Sequence, residues 1–404
     1  MKILVINCGS STIKFQLYDM EENKVLAKGR CDQVGLKESY LIYKNIDKSI
    51  EFEKVIPIPD HKEGMKIILN TLIDSEDGVI KTFEEISAVG HRIVHGGEQF
   101  SRSVNITDEM LSEIEELSYL APLHNPACTT GVRAIKQVMP NVINVGVFDT
   151  AFHQTIPEEN YRYAIKQEYY EKYGMRKYGF HGSSYMYIIS RLAEKLNKSE
   201  EDINAIVCHL GGGASVCAIK NGKSFDTSMG FTPLQGLIME TRCGDIDPSV
   251  AITLMEKENL NYSQITKVLN KESGRLGFCG IGDHRQVCAA ADKGEKDAEL
   301  ILKMQNSRTK QYIGAYMAHL NRVDAIVFTG GIGENDASQR MDVLKNMEYL
   351  GIKMDKERNF EGSRKESIIT AEDSIIKAFV IPTDEEFEIA KQTKEVYYDT
   401  ISKE

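Results

Sequence analysis

This chain of 404 residues contains no Cys-x-x-Cys pair, no apolar run approaching the ~18 to 20 residues of a membrane-spanning helix, and no stretch rich in Pro, Gly or Ser. Without the cysteine pair, and in a chain too long for a disulfide-stapled miniature, its eight cysteines read as reduced thiols. Without a long apolar run, a helical membrane span is excluded. Without a linker or low-complexity tract, any division into domains is a compact crossover. Positive charge is also short: 49 Lys and Arg against 60 Asp and Glu leave a net charge of −11. That argues against nucleic acid or an anionic membrane as the main partner and leaves room only for a local basic pocket around a small anion. Met1-Lys2 runs directly into a strand with no apolar segment and small-residue cleavage site, so the expected compartment is the cytoplasm.

The remaining composition is that of a globular protein, 42% hydrophobic and 27% charged, and the length exceeds one ordinary core, so two domains are expected. Strand spacing recurs over 3–6, 15–18, 25–29, 41–45, 50–56, 86–89 and 142–148, with helical spacing over 61–72, 108–117 and 125–138. The pattern restarts after Gly179, with a helix over 186–196, a strand over 205–209, a hairpin over 214–227, helices over 247–257, 262–269 and 295–320, and a strand over 325–329. The chain ends in helical spacing over 384–396, expected to pack back on the first half.

Two apolar strands run into small-residue turns, Asn7-Cys8-Gly9-Ser10-Ser11-Thr12-Ile13-Lys14 and His209-Leu210-Gly211-Gly212-Gly213-Ala214-Ser215. Backbone amides and hydroxyls presented this way form an anion clamp that needs no helix N-terminus. A third element, Thr329-Gly330-Gly331-Ile332-Gly333-Glu334-Asn335, repeats the strand-into-glycine pattern. One such turn is as well explained as a tight hairpin, but three point to a polyphosphate lying in a cleft between two related halves. Known phosphate motifs do not fit. Asn221-Gly222-Lys223-Ser224 has a P-loop tail, but Cys217 stands where its first glycine belongs, and Asn221-Gly222 reads as a hairpin turn. Gly331-Ile332-Gly333 has Asp336 where a dinucleotide fingerprint requires glycine.

His91 and His95 have the spacing of a zinc-binding helix, but Arg92 replaces the required glutamate and the segment looks extended. Arg92 and Arg242 each sit beside glycine turns, where a guanidinium fork suits a carboxylate or phosphoryl oxygens, although a surface salt bridge is the commoner fate of arginine. His181 lies between glycines in a polar loop, and His124 and His209 flank turns or strand ends. Asp149 ends a strand and Glu385 starts the last helix, positions that suit Mg²⁺, although either residue alone reads equally as a cap or a solvated acid.

These segments, with Gly90-His91-Arg92-Ile93-Val94-His95-Gly96-Gly97, Leu123-His124-Asn125-Pro126, Phe148-Asp149-Thr150-Ala151-Phe152-His153, Tyr178-Gly179-Phe180-His181-Gly182, Met229-Gly230-Phe231-Thr232-Pro233-Leu234 and Thr241-Arg242-Cys243-Gly244-Asp245-Ile246-Asp247-Pro248, closely resemble the acetokinase family over nearly the whole chain. The resemblance implies an α/β fold, a duplicated ribonuclease-H-like (actin-like ATPase) architecture with two domains around a central cleft. Residues 1–150 with 386–404 would form one domain, and 151–385 the other, carrying most of the nucleotide site. It implies a carboxyl-group kinase, with reversible in-line phosphoryl transfer between ATP and acetate giving acetyl phosphate and ADP, Mg²⁺ as cofactor with Mn²⁺ as a substitute, and a homodimer.

By the same resemblance Arg92, Arg242, His181, His124 and Asp149 are catalytic, and Arg92, Val94, Leu123, Phe180 and Pro233 surround acetate. Lys14, His209, Gly211, Gly212, Gly213, Asp283, His284, Arg285, Gly331, Ile332, Gly333 and Asn335 bind nucleotide. Asn7, Ser10 and Thr12 meet phosphate, and Asn7 and Glu385 meet the metal. Four positions depart from the family pattern: Gly212 for asparagine, Glu240 for glycine, Tyr185 for histidine and Asp384 for asparagine. Competing readings are a propionate or other short-chain acyl kinase, a non-ATP donor such as GTP or pyrophosphate, and a non-catalytic ATP-regulated clamp.

Overall fold

Alternating apolar residues near the start of the chain build an antiparallel meander, β1 (Lys2–Cys8), β2 (Thr12–Asp19), β3 (Lys24–Asp32), β4 (Tyr40–Asn45) and β5 (Ile50–Val55). Three further strands, β6 (Ile86–Ile93), β7 (Val104–Asn105) and β8 (Ile143–Phe148), complete a sheet of order β5-β4-β3-β2-β1-β6-β8-β7, in which β1, β6 and β8 run parallel. The computed structural model describes residues 1–122 and 124–403. It divides into two units, Met1–Phe152 with Asp384–Glu404, and His153–Thr383.

In the first unit one sheet face packs on helices His61–Leu72 and Asn125–Val138, burying Ile6, Phe15, Met65, Ile68 and Ile135. The first helix starts where Asp60 accepts from the Glu63 amide at 2.8 Å, the ordinary N-cap arrangement. The other face carries Ile3, Val5, Val145 and Val147 against Ile389 and Ala390 of the last helix, Glu385–Ile401. Gly90 is required by this packing, because a Cβ there would lie 2.3 Å from Thr393 Oγ1. The C-terminal helix is therefore part of the core of the first unit.

The second unit repeats the arrangement. Strands β9 (Ala205–Leu210), β10 (Ala214–Lys220) and β11 (Lys223–Thr227) form an antiparallel meander, and β12 (Ala325–Thr329), β13 (Ser367–Ile368) and β14 (Lys377–Val380) extend it in the order β11-β10-β9-β12-β14-β13. As β6 and β8 follow β1, so β12 and β14 lie parallel beside β9. Asn221 and Gly222 take φ of 51° and 72°, the left-handed pair a two-residue hairpin needs, so the Gly-Lys-Ser tail belongs to a β-turn. The third glycine element differs from the first two: β12 runs into a short helix, Gly330–Asn335, instead of a second strand.

Three imidazoles are sealed in these cores. Burial lowers the pKa of His91 to about 4, of His95 to about 3 and of His153 to about 4, and each is at most 1% exposed. Unfolding returns them to the ordinary ~6.5, so between that value and ~4 the unfolded chain binds more protons and stability falls as pH falls. Each should cost about 1 kcal/mol between pH 7 and 5.5. Denaturant titrations at the two pH values should show the loss, while the three imidazole NMR signals stay at their neutral shifts above pH 5. Signals that titrate near 6.5 would refute it.

Candidate functional site

In the first unit the C-terminal ends of the parallel strands bring three polar residues together, the edge at which open α/β sheets bind ligands. Asn7 ends β1, Arg92 ends β6 and Asp149 follows β8. The Arg92 fork meets Asp149 through Nε at 3.0 Å and Nη2 at 2.6 Å, and Nη1 donates to Asn7 Oδ1 at 3.3 Å. Asp149 is only 2% exposed, whereas the Arg92 side chain keeps 23%. Burial works against the Arg92 charge, but the charge and hydrogen bonds of Asp149 outweigh it and raise its pKa. In this arrangement both Asp149 oxygens are spent on orienting the guanidinium.

Glu385, at the start of the last helix, is half-buried. Burial, together with the charge of Asp149, lifts its carboxyl above the ordinary range against the pull of Arg92. Asn7 Oδ1 and the Glu385 carboxylate are oxygen donors of the kind a hard divalent cation takes, and a cation nearby would favour the charged form of Glu385.

The β1–β2 turn is closed by the Gly9 amide donating to Thr12 O at 2.8 Å. Ser10 and Lys14 are exposed there, while the Thr12 hydroxyl reaches Asp32 at 3.3 Å. Val94 is 7% exposed just beyond β6. His124 is the N-cap of helix Asn125–Val138 and makes no side-chain cap bond. Leu123 lies outside the described residues. Sequence reasoning missed Asn125, which accepts from the His95 amide at 3.1 Å and donates to the His95 carbonyl at 2.9 Å, fixing the loop that follows Arg92.

In the second unit His181 takes a left-handed φ of 61° at the start of helix Gly182–Leu196. Its ring stacks on His209 at 4.2 Å, and its Nδ1 meets Ser215 Oγ at 2.8 Å. Ser215 is bonded in turn to the buried Tyr185 hydroxyl. A chain in which Tyr185 donates to Ser215 and Ser215 to Nδ1 would place the His181 proton on Nε2. That nitrogen and Arg242 Nη1 both lie 3.7 Å from where a Cβ at Gly213 would be, so donors converge on the glycine turn.

The Arg242 guanidinium meets the Pro233 carbonyl at 3.4 Å and Met239 Sδ at 3.6 Å. Among the described residues no carboxylate pairs with it, and burial lowers its pKa. A half-buried guanidinium without a counter-ion is poised for an external anion. Phe180 is 3% exposed and Pro233 half-buried. His209 is held by Ser184, whose hydroxyl also meets Thr383.

A cavity of about 870 Å³ lies in the same unit, lined by Gly212, Asp283, His284, Arg285, Gly331, Ile332 and Asn335, of a size that accommodates a nucleotide. His209, Gly211, Gly213 and Gly333 lie outside its lining, and Lys14 belongs to the other unit. Asp283 caps helix His284–Asp292 through the Arg285 and Gln286 amides and pairs with the exposed Arg285 side chain at 3.1 Å. Two of the departing positions occupy one space: a Cβ at Gly212 would lie 2.9 Å from Glu240 Oε2, and the Glu240 amide donates to Gly212 O at 3.0 Å. The glycine at 212 makes room for the carboxylate at 240.

A duplicated three-strand meander with parallel additions, a glycine clamp in each copy and paired arginine sites defines an α/β protein of the actin-like ATPase fold, built for phosphoryl transfer. The Acetokinase family model matches residues 2–391, and the chain belongs to that family, whose members are phosphotransferases with a carboxyl group as acceptor. It is 51% identical over 399 residues to an acetate kinase of Thermotoga maritima, covering 98% of each chain. The crystal structure of Porphyromonas gingivalis acetate kinase superposes with a TM-score of 0.93 at 45% identity, covering 98% of this chain and 99% of that one. A propionate kinase from Francisella tularensis gives 0.91 at 39% identity, with the same coverage.

Proposed function

We propose that this chain catalyses reversible, Mg²⁺-dependent phosphoryl transfer from ATP to acetate, giving acetyl phosphate and ADP. The observation that carries this reading is the 51% identity to an acetate kinase along 98% of both chains. The geometry supports it with Arg242, which meets no carboxylate among the described residues, beside His181 and a glycine turn.

Acetate is already an anionic nucleophile at neutral pH, so no strong base is needed, and catalysis reduces to alignment and charge neutralisation. Arg242 and the Nε2–H of His181 stabilise the equatorial oxygens of the transferring group, with His124 as a further donor. Arg92, held square by Asp149, grips the acetate carboxylate. The turn at Gly211, Gly212 and Gly213 and the cavity beside Asp283 and Gly331 take the nucleotide. Asn7 and Glu385 would hold Mg²⁺, with Mn²⁺ as a substitute, and the cation neutralises phosphate charge when bound. A hydroxamate assay for acetyl phosphate with ATP, GTP and pyrophosphate as donors tests the reading. Activity confined to a donor other than ATP, or none with acetate, would overturn it.

Val94 is proposed to meet the acetate methyl in an apolar pocket. One methylene in such a pocket discriminates by only ~1 to 3 kcal/mol, so propionate should be a poorer but real substrate. Val94→Ala should move the acetate-to-propionate ratio of kcat/KM toward propionate by about tenfold or more. An unchanged ratio contradicts the assignment.

We assign the enzyme to the cytoplasm. All eight cysteines are free, and among the described residues no helix is long and apolar enough to cross a membrane. A two-fold homodimer is the expected assembly, the commonest closed oligomer, and light scattering after gel filtration checks it.

A further inference from the structure

One cluster in the second unit lines the cavity proposed for the nucleotide, yet its thiol and carboxylate have no role in the phosphoryl-transfer reading, which uses its His284 alone. His284 and Cys288 stand one helical turn apart on helix His284–Asp292, and Asp336 faces them from the start of helix Ala337–Leu344. His284 Nε2 lies 2.7 Å from Asp336 Oδ2, Cys288 Sγ lies 3.5 Å from the same nitrogen, and Sγ to Oδ2 is 3.8 Å. Around a tetrahedral Zn²⁺, bonds of ~2.0 to 2.3 Å set nitrogen–sulfur and oxygen–sulfur edges near ~3.6 Å and a nitrogen–oxygen edge near ~3.4 Å. Two of the three edges are already in place, and the third opens when a metal replaces the His–Asp hydrogen bond.

From these distances we infer that His284, Cys288 and Asp336 form a three-donor site for a thiophilic divalent cation of the Zn²⁺ class, its fourth position open to the cavity. Asp336 is preorganised, since its other oxygen accepts from the Gln339 amide at 2.9 Å. All three side chains line the cavity, which also carries Glu240, Asp283, Asp292 and Asp342 against Arg275, Arg285 and Arg364, so carboxylates outnumber guanidiniums around the entry path. On binding, the thiol gives up its proton to solvent, and the imidazole proton moves from Nε2 to Nδ1. Nδ1 is buried with no hydrogen-bond partner among the described residues. A tight resident site would give that atom an acceptor, so this one holds an exchangeable cation. Oxygen-seeking Mg²⁺ gains little from a thiolate and an imidazole and should not compete.

Co²⁺ titration of the full chain tests this without reference to catalysis. The wild type should develop the sulfur-to-cobalt charge-transfer band and the visible bands of a tetrahedral site, saturating at one ion per chain. Zn²⁺ should abolish them stoichiometrically, and excess Mg²⁺ should leave them unchanged. Cys288→Ser should lose the charge-transfer band, and Asp336→Asn, which still caps its helix, should lose the tetrahedral spectrum. Cys288→Ala serves if either variant fails to fold. No band in the wild type, a band surviving in the Cys288 variants, or a spectrum unaltered in Asp336→Asn overturns the site.

Discussion

Arg242→Ala lowers the turnover of acetate by roughly 10³ to 10⁵, the range by which an arginine on a transferring phosphoryl group accelerates such reactions. The expectation rests on the side chain having no carboxylate partner among the described residues and lying beside His181 and Gly213. Removing it breaks no ion pair, so the folded state should survive and the loss should fall on kcat more than on KM for ATP. Lysine should recover little, because a point charge cannot reproduce the fork. Arg92→Ala is a less clean probe. It strands Asp149, 2% exposed, without its guanidinium, and unpairing a buried charge costs about 3 to 5 kcal/mol of stability on its own. Steady-state acetyl phosphate formation by Arg242→Ala at near-normal kcat would remove this residue from the chemistry.

Arg340→Met is expected to destabilise the second unit by about 4 kcal/mol, lowering its unfolding temperature by roughly 8 to 16 °C. Arg340 is 0% exposed and has no carboxylate pair among the described residues. Its guanidinium instead donates to the Gly333 carbonyl at 2.7 Å, to Asn359 Oδ1 and O at 2.8 Å each, and to Ser363 Oγ at 3.0 Å. Burial lowers its pKa to about 10, so it remains charged at neutral pH. Deleting it leaves buried acceptors without donors at ~1 to 3 kcal/mol apiece and frees the glycine helix Gly330–Asn335, which lines the cavity proposed for the nucleotide. Differential scanning calorimetry showing the transition within a degree of wild type would disprove it.

Elements governed by their own periodicity were legible from the sequence. The helix read over 61–72 spans His61–Leu72, and the hairpin at Asn221-Gly222 takes the left-handed pair its residues favour. The mixed α/β fold class followed from such segments and from the family resemblance. Sequence spacing left residues 330–383 unassigned, apart from the opening glycine turn, because β13 has only two residues and β14 four, too few to show alternation, and the helices Ala337–Leu344 and Lys356–Glu361 span only eight and six. Polar partners remote in sequence carried no signal either. Asp336 reads only as a break in a glycine fingerprint, yet it meets His284 from 52 positions away. Asn125 reads as the start of a helix, yet it clamps His95. Glycine at 212 and glutamate at 240 look like independent departures until their atoms are seen to share one space.

The first unit closes only with Glu385–Ile401, which covers Ile3, Val5, Val145 and Val147. On the ribosome some 230 residues intervene between the two pieces of that core. At ~5 to 20 residues per second this interval lasts on the order of 12 to 46 s. The nascent chain therefore finishes its inserted half first, while an apolar sheet face waits uncovered for the last segment to emerge, and that interval is when a chaperone would be needed.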